Sequence, residues 1–314
     1  ARQWQVVKEE YFTATGRCAV KTQTGLVLAL KYHLSDNERL TEQMLRKLLR
    51  DNKNKLNTGF VGTPLLCNVL TEHGMTDLAY RLLLNEEYPG WLHEVKLGAT
   101  TVWERWNSLD ENGRISSTGM NSLNHYSYGA VLEWIFRHVA GIDVTEQGPG
   151  GKMMRISPKV DYKLGSASAV YDSASGCYRC GWQIENGDQI TVTVTVPFGA
   201  KAQVILPYAP DSVYHDTDNP LFETVENGIC CVKAGQYTVT YKAASPLKKS
   251  YSVDSTLEDL LAEPAIRAFL SNMMEVDMIP DLAYGLTLRQ AAEAFAGGVS
   301  AEQAQRLNAL LEEF

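Results

Sequence analysis

The chain predicts a multidomain protein of mixed α and β class: paired helices over residues 1–142, an antiparallel β-sandwich over 143–253 and a helical tail over 254–314. Three observations carry this division. Apolar residues recur at three- and four-residue spacing up to Ile142, alternate singly with threonine in the middle of the chain, and return to helical spacing after Ser255. The stretch Gly148-Pro-Gly-Gly151, at the first of these changes, reads as a linker.

Composition bounds the function. The 314 residues are 45% hydrophobic, the balance of a globular protein with room for more than one core. A net charge of −8 without any Lys/Arg cluster argues against a nucleic-acid partner. No apolar run reaches the roughly 18 residues of a membrane span, so no membrane partner is expected. The cysteines are scattered at 18, 67, 177, 180, 230 and 231, and only Cys177-Tyr-Arg-Cys180 has metal or redox spacing. A zinc site wants a second such pair, so these two read as strand or turn residues, and no metal or cofactor is expected. Unpaired thiols favour a reducing compartment, which predicts a cytoplasmic location.

Residues 25–34 and 40–49 place Leu, Ala and Met at helical spacing, with Ser35-Asp36-Asn37 as the break between them. Pro64 opens a further helix that runs to Leu70 and is ended by Gly74, and residues 77–84 form the next. Such hairpins fit a toroid, and there are about six helices where a closed ring needs about twice that. Residues 121–140 read as one long helix with Leu123, Tyr126, Ala130, Trp134 and Ile135 on its apolar stripe and Gly141 as its stop.

Between these helices lies Gly98-Ala-Thr-Thr-Val-Trp-Glu-Arg-Trp-Asn107, followed by Met120-Asn-Ser-Leu-Asn-His-Tyr126. It sets a carboxylate, Glu104, between two indoles, with a histidine close behind. Apolar walls support a sugar face while an acid handles water or protons, so the pattern points to glycoside chemistry. The plainer reading is core packing with a solvated acid. His125 falls in the first turn of its predicted helix, where amide dipoles disfavour imidazolium and suit a neutral ring bonded to a sugar hydroxyl. Phe60 and Trp106 lie beside polar or glycine-rich turns and are the aromatic side chains expected to face the sugar. Glu94, Asp110, Glu111 and Glu133 are nearby acids, each with a simpler role as a loop or helix-surface charge.

Several stretches resemble the bacterial α-L-rhamnosidases of glycoside hydrolase family 78, in order and in spacing. They are Lys21-Thr-Gln-Thr24, Thr58-Gly-Phe-Val-Gly-Thr-Pro64, Leu78-Ala-Tyr-Arg-Leu-Leu83, Gly98 through Trp106, Asn121 through Tyr128, Glu133-Trp134 and Ala140-Gly-Ile142. The resemblance implies the C-terminal half of an (α/α)6 toroid that hydrolyses rhamnosides with inversion. It implies Glu104 as the general base and His125 as a residue lining the rhamnose subsite. The family's general acid belongs to an Asp-, Trp- and Gly-rich motif of the first half, which has no counterpart here, so the chain alone is expected to be inactive. Asn107 stands where the family frequently has aspartate. Uncovered helix faces of a half ring predict homo-oligomers.

After Ile142, Gln189-Ile-Thr-Val-Thr-Val-Thr-Val196 and Gln236-Tyr-Thr-Val-Thr-Tyr241 alternate inward apolar with outward threonine, and Asn-Gly turns at 186–187 and 227–228 join hairpins. The resemblance places such a sandwich after the toroid, as a packing module or a carbohydrate binder. In the tail, Ser255-Thr-Leu-Glu258, Thr287-Leu-Arg-Gln290 and Ser300-Ala-Glu-Gln303 announce helices whose apolar faces dock on the sandwich or on a partner. Two functions remain: the base-bearing part of an α-L-rhamnosidase acting on a rhamnose-containing glycoside, or a non-catalytic carbohydrate-binding or assembly protein on the same fold.

Overall fold

A computed structural model describes residues 2–110, 112–116, 119–216, 218–312 and 314. Glu111, named above among the nearby acids, lies outside the described residues. The chain forms two compact units, residues 1–247 and 248–314.

The first unit begins with helices α1 (Arg2–Tyr11), α2 (Gln23–Lys31), α3 (Glu38–Asp51), α4 (Thr63–Glu72), α5 (Thr76–Leu83) and α6 (Trp91–Lys96). Their starts follow from local chemistry. Thr22 caps α2 by accepting the Gly25 amide, Asn37 caps α3 through the Leu40 amide, and α4 opens on Thr63-Pro64. Leu26, Leu30, Leu45, Leu49, Leu66 and Leu70 are buried on the facing sides of α2, α3 and α4. The Thr22-Gln23-Thr24 motif does more than cap. Gln23 is buried and clamps the loop before Phe60, donating to the Lys55 carbonyl at 2.9 Å and accepting from the Asn57 amide at 2.8 Å.

Residues 121–140 are not one helix. Regular winding starts only at a 3-10 turn, Tyr128–Ala130, continues as α7 (Val131–Trp134) and widens into a π turn, Ile135–Val139. His125 therefore sits in irregular chain before the helix, not in its first turn.

Gly141 turns the chain with φ +81, and a side chain there would meet the Pro158 nitrogen at 2.2 Å, so only glycine fits. The sheets follow as β1 (Ile142–Val144), β2 (Met153–Ile156), β3 (Ser166–Ser173), β4 (Gly176–Glu185), β5 (Gln189–Val196), β6 (Lys201–Val204), β7 (Val225–Glu226), β8 (Ile229–Val232) and β9 (Gly235–Lys242). One sheet has the order β3-β4-β5-β9 and is antiparallel throughout; the other runs β1-β2-β6-β8-β7, and its β2 and β6 are parallel. That pair is an exception to the antiparallel expectation. Ile190, Val192, Val194 and Val196 share one core with Met154, Ile156, Val204 and Val232, as the alternation requires. Asn186-Gly187 and Asn227-Gly228 all have positive φ, the geometry of a two-residue hairpin turn. Cys177 and Cys180 lie on β4.

Gly148-Pro-Gly-Gly151 is a packed turn and not a linker. Added side chains at Gly148 and Gly151 would strike Met153 and Ser173. Helices and sheets of this unit are joined by buried contacts: the Trp182 indole donates to the Val139 carbonyl at 2.7 Å, the Tyr80 hydroxyl donates to the Lys159 carbonyl, and Arg137 pairs with Asp143 at 3.0 Å.

The second unit holds α8 (Leu257–Ala262), α9 (Pro264–Ser271), α10 (Leu288–Phe295) and α11 (Ala301–Leu311). Full capping boxes form at Thr287/Gln290 and Ser300/Gln303. The first helix starts one residue later than its motif suggested, with Thr256 and not Ser255 accepting the Asp259 amide. Its apolar faces pack on one another: Val253, Leu257, Leu260, Ile266, Leu270, Leu288 and Leu311 form a core of their own.

Candidate active site

Two irregular stretches, residues 101–104 and 122–125, run side by side and lock together. The His125 amide donates to the Val102 carbonyl at 2.8 Å, the Glu104 amide donates to the Ser122 carbonyl at 2.9 Å, and Thr101 Oγ1 donates to the Leu123 carbonyl. Glu104 Oε2 accepts the Ser122 amide at 2.8 Å, so the acid and Ser122 hold each other from both sides. Glu104 is half-buried, and among the described residues no ion pair involves it. Past the acid, Ser108 accepts the Arg105 amide at 3.1 Å and donates to Asn121 at 2.7 Å, while Asn121 returns a bond to the Ser108 carbonyl at 2.9 Å. The Asn-x-x-x-His motif thus staples the loop that carries Glu104.

His125 stacks with two rings. Phe60 stacks on it at 5.0 Å and 17°, and Tyr126 at 5.1 Å and 20°. The His125 ring is thus held in place by aromatic contacts while remaining partly exposed. Nδ1 accepts the Ser127 amide at 3.3 Å, which assigns the proton of the neutral ring to Nε2 and makes that atom a donor.

Phe60 and Trp106 part company here. Phe60 is 48% exposed, while Trp106 is 9% exposed and stacks flat on Tyr128 at 4.0 Å and 10°. The Trp106 indole donates to the Thr58 carbonyl at 3.2 Å and meets Trp91 edge-on at 5.4 Å, and the Trp91 indole donates to the Tyr128 carbonyl at 3.0 Å. Tyr128 in turn meets Phe60 edge-on at 5.9 Å. Trp106 therefore supports Tyr128, which in turn packs against Phe60, and Phe60 is the open surface.

The nearby acids divide the same way. Glu133 pairs with Arg137 at 3.1 Å, and Asp110 caps its own turn by accepting the Asn112 and Arg114 amides at 2.9 and 2.8 Å. Glu94 is not the surface charge its sequence context suggested. It is 3% exposed, and burial pushes its carboxyl up to about 7. A raised pKa suits a general acid, yet a carboxyl so covered cannot reach a leaving oxygen. Spacing held a signal that could have found it: Trp91 and Glu94 stand three apart on one short helix and share its buried side.

A hollow of about 370 Å³ elsewhere in the unit is lined by Lys8, Phe12, Thr13, Gly16, Leu34 and Asn37, and none of the four candidate residues borders it. No group of three or more His, Cys, Asp or Glu side chains suited to a metal occurs among the described residues. No described helix is long and apolar enough to cross a membrane.

Known proteins match both parts of the first unit. A family model described as the bacterial alpha-L-rhamnosidase 6 hairpin glycosidase domain matches residues 2–139, and one described as the bacterial alpha-L-rhamnosidase C-terminal domain matches residues 141–219. An alpha-L-rhamnosidase of Alteromonas sp. (strain LOR) is 39% identical over 221 residues, which are 69% of this chain and 23% of that protein. One from Streptomyces avermitilis is 35% identical over 228 residues, 72% of this chain and 22% of that protein. Among solved structures, Streptomyces avermitilis alpha-L-rhamnosidase complexed with L-rhamnose superposes with a TM-score of 0.68 at 32% identity, covering 77% of this chain and 23% of that one. The native enzyme from Aspergillus terreus gives 0.66 at 28% identity, covering 77% and 26%. The chain spans about a quarter of the length of these relatives.

Proposed function

The chain belongs to the bacterial alpha-L-rhamnosidase family through its hairpin and C-terminal domains, and from that premise we propose that it supplies the general-base side of an inverting glycoside hydrolase acting on terminal α-L-rhamnose. The observation that carries this reading is the interlock of the Glu104 and His125 segments, which presents an acid and a hydrogen-bond donor from one rigid patch.

Inversion needs two carboxyl groups roughly 6.5–9.5 Å apart, with a water between the base and the anomeric carbon. Glu104 takes the proton of that water. Ser122 holds Oε2, which orients the carboxylate and leaves Oε1 to the water. As the proton arrives on Oε1 the charge of the carboxylate is neutralised, and Oε2 keeps the Ser122 amide as the carbonyl oxygen of the acid. His125 donates from Nε2 to a sugar hydroxyl, and Phe60 offers an apolar surface to the sugar's methyl-bearing side. Trp106 supports Tyr128, which packs against Phe60. The leaving oxygen is protonated by an acid from hairpins outside this chain, as the share of its relatives that it spans suggests.

The test is an enzyme in which this chain is joined to the acid-bearing hairpins of a rhamnosidase, assayed on an aryl α-L-rhamnoside. Glu104→Gln is expected to lower kcat by about 10²–10⁴ with little change in KM. Turnover that tolerates the change sinks the proposal and favours a non-catalytic sugar-binding role.

A further inference from the structure

Glu94 has no part in the chemistry just derived, yet it touches the backbone that bears it. Its main-chain carbonyl accepts the Ala99 amide at 3.0 Å, and its Oε2 accepts the Trp103 amide at 3.4 Å. The two ties bracket the loop 99–103, whose far end presents the Val102 carbonyl to His125 and leads directly into Glu104. Oε1 has no hydrogen-bond partner among the described residues. Burying a carboxyl with one oxygen unsatisfied is costly, which sets Glu94 apart from an ordinary packing residue.

We infer that Glu94 is a positioning residue for the Glu104 segment, anchoring the Trp103 amide to α6 and so fixing the main chain from which the proposed base and the His125 contact both project. The inference rests on the reading of Glu104 as base for its catalytic consequence, though not for its structural one. The titratable group facing Glu94 is Tyr128, whose hydroxyl is itself pushed up by burial and feels Arg105, Tyr88 and Glu104. Glu94 thus sits beside the base loop and near enough to Tyr128 to raise its hydroxyl pKa. Its elevated pKa, from burial, agrees with a carboxyl sealed in that position.

Two substitutions separate the hydrogen bond from packing. Glu94→Gln keeps an oxygen acceptor for the Trp103 amide, whereas Glu94→Met keeps the bulk and removes the acceptor. In the completed enzyme, Glu94→Met is expected to lower kcat at least about tenfold with KM within about twofold, and Glu94→Gln to stay near the parent. In the 314-residue chain itself, Trp103 amide hydrogen exchange should speed up about tenfold or more in Glu94→Met and not in Glu94→Gln. Unchanged exchange in Glu94→Met overturns the inference whatever the kinetics show. Normal kcat in Glu94→Met beside an inactive Glu104→Gln also overturns it, while leaving the base reading intact. An active Glu104→Gln defeats the base reading alone, and the exchange result then decides on Glu94. If Glu94→Met fails to fold, the unaltered chain still decides. Its Trp103 amide should be protected from hydrogen exchange, and an unprotected amide overturns the inference.

Discussion

The helical part of the first unit and the sheets that follow it satisfy their polar groups differently. Among the described residues, buried side-chain atoms without a hydrogen-bond partner include Asn68 Oδ1, Arg81 Nη1, Glu94 Oε1 and His138 Nε2, all on the helical side, and none on the strands. The sheet side buries its tyrosines and tryptophan with partners: Tyr178 donates to the Gly151 carbonyl at 2.8 Å, Tyr241 to Pro207 at 2.7 Å and Trp182 to Val139 at 2.7 Å. Large apolar side chains stand open on both parts, among them Tyr32, Val61, Leu132 and Phe136 on the helical part and Val170, Phe198 and Tyr208 on the sheet part. The contrast among the described residues therefore lies in polar satisfaction: the sheets pair their buried polar groups, whereas the hairpins leave several, Glu94 Oε1 among them, without a partner.

Two tryptophans sharpen that contrast most strongly. Trp106 and Trp182 are both buried with the indole donating to a backbone carbonyl. Truncating either to alanine should cost about 3–5 kcal/mol in urea unfolding. Only Trp106→Ala should also lower kcat in the completed enzyme, because it removes the ring stacked on Tyr128, which packs edge-on against Phe60. Equal kinetic losses in both variants would break the comparison.

A smaller effect lies in the pH dependence of stability. Glu94 moves from 4.5 to about 7 on folding, so its contribution is full below about pH 4.5 and is lost as pH rises to about 7. His138, lowered by burial from 6.5 to about 4, acts in the opposite sense: its contribution is full above about pH 6.5 and is lost as pH falls through 4. Each is worth up to about 3 kcal/mol, and between about pH 4.5 and 6.5 they offset one another. Glu94→Gln should therefore unmask a stability that climbs with pH over that window, and His138→Gln one that falls. Parallel curves for the parent and both variants would place the titrating groups elsewhere, on the sheet side included.

Much of this architecture is legible in residue order. Leu and Ala spacing located α2 through α5 within a few residues, Asn-Gly pairs located both hairpin turns, and Thr alternation assigned the inward face of β5. The misreadings share a physical cause, local competition for backbone groups. Residues 121–140 have a helical stripe, yet the amides that would begin a helix are taken by other acceptors. Asn124 is claimed by Ser122 Oγ at 3.2 Å, His125 by the Val102 carbonyl and Ser127 by the His125 ring. Periodicity is blind to such captures. Phe60 and Trp106 looked equivalent because a flanking polar turn does not reveal that Trp106 is covered by Tyr128 while Phe60 stays open. Glu94 was mistaken for a solvated acid because charge alone says nothing about what covers it. The tail's apolar faces were expected on the sandwich or on a partner, and periodicity alone did not show that they also form a core among themselves.

The central claim, that Glu104 works on the face opposite the leaving group, is tested most directly by azide rescue of Glu104→Ala in the completed enzyme, with the product identified by NMR. An activated α-L-rhamnoside should yield the β-L-rhamnosyl azide, the anion entering where the carboxylate and its water stood. No rescue, or an azide of α configuration, would contradict the account.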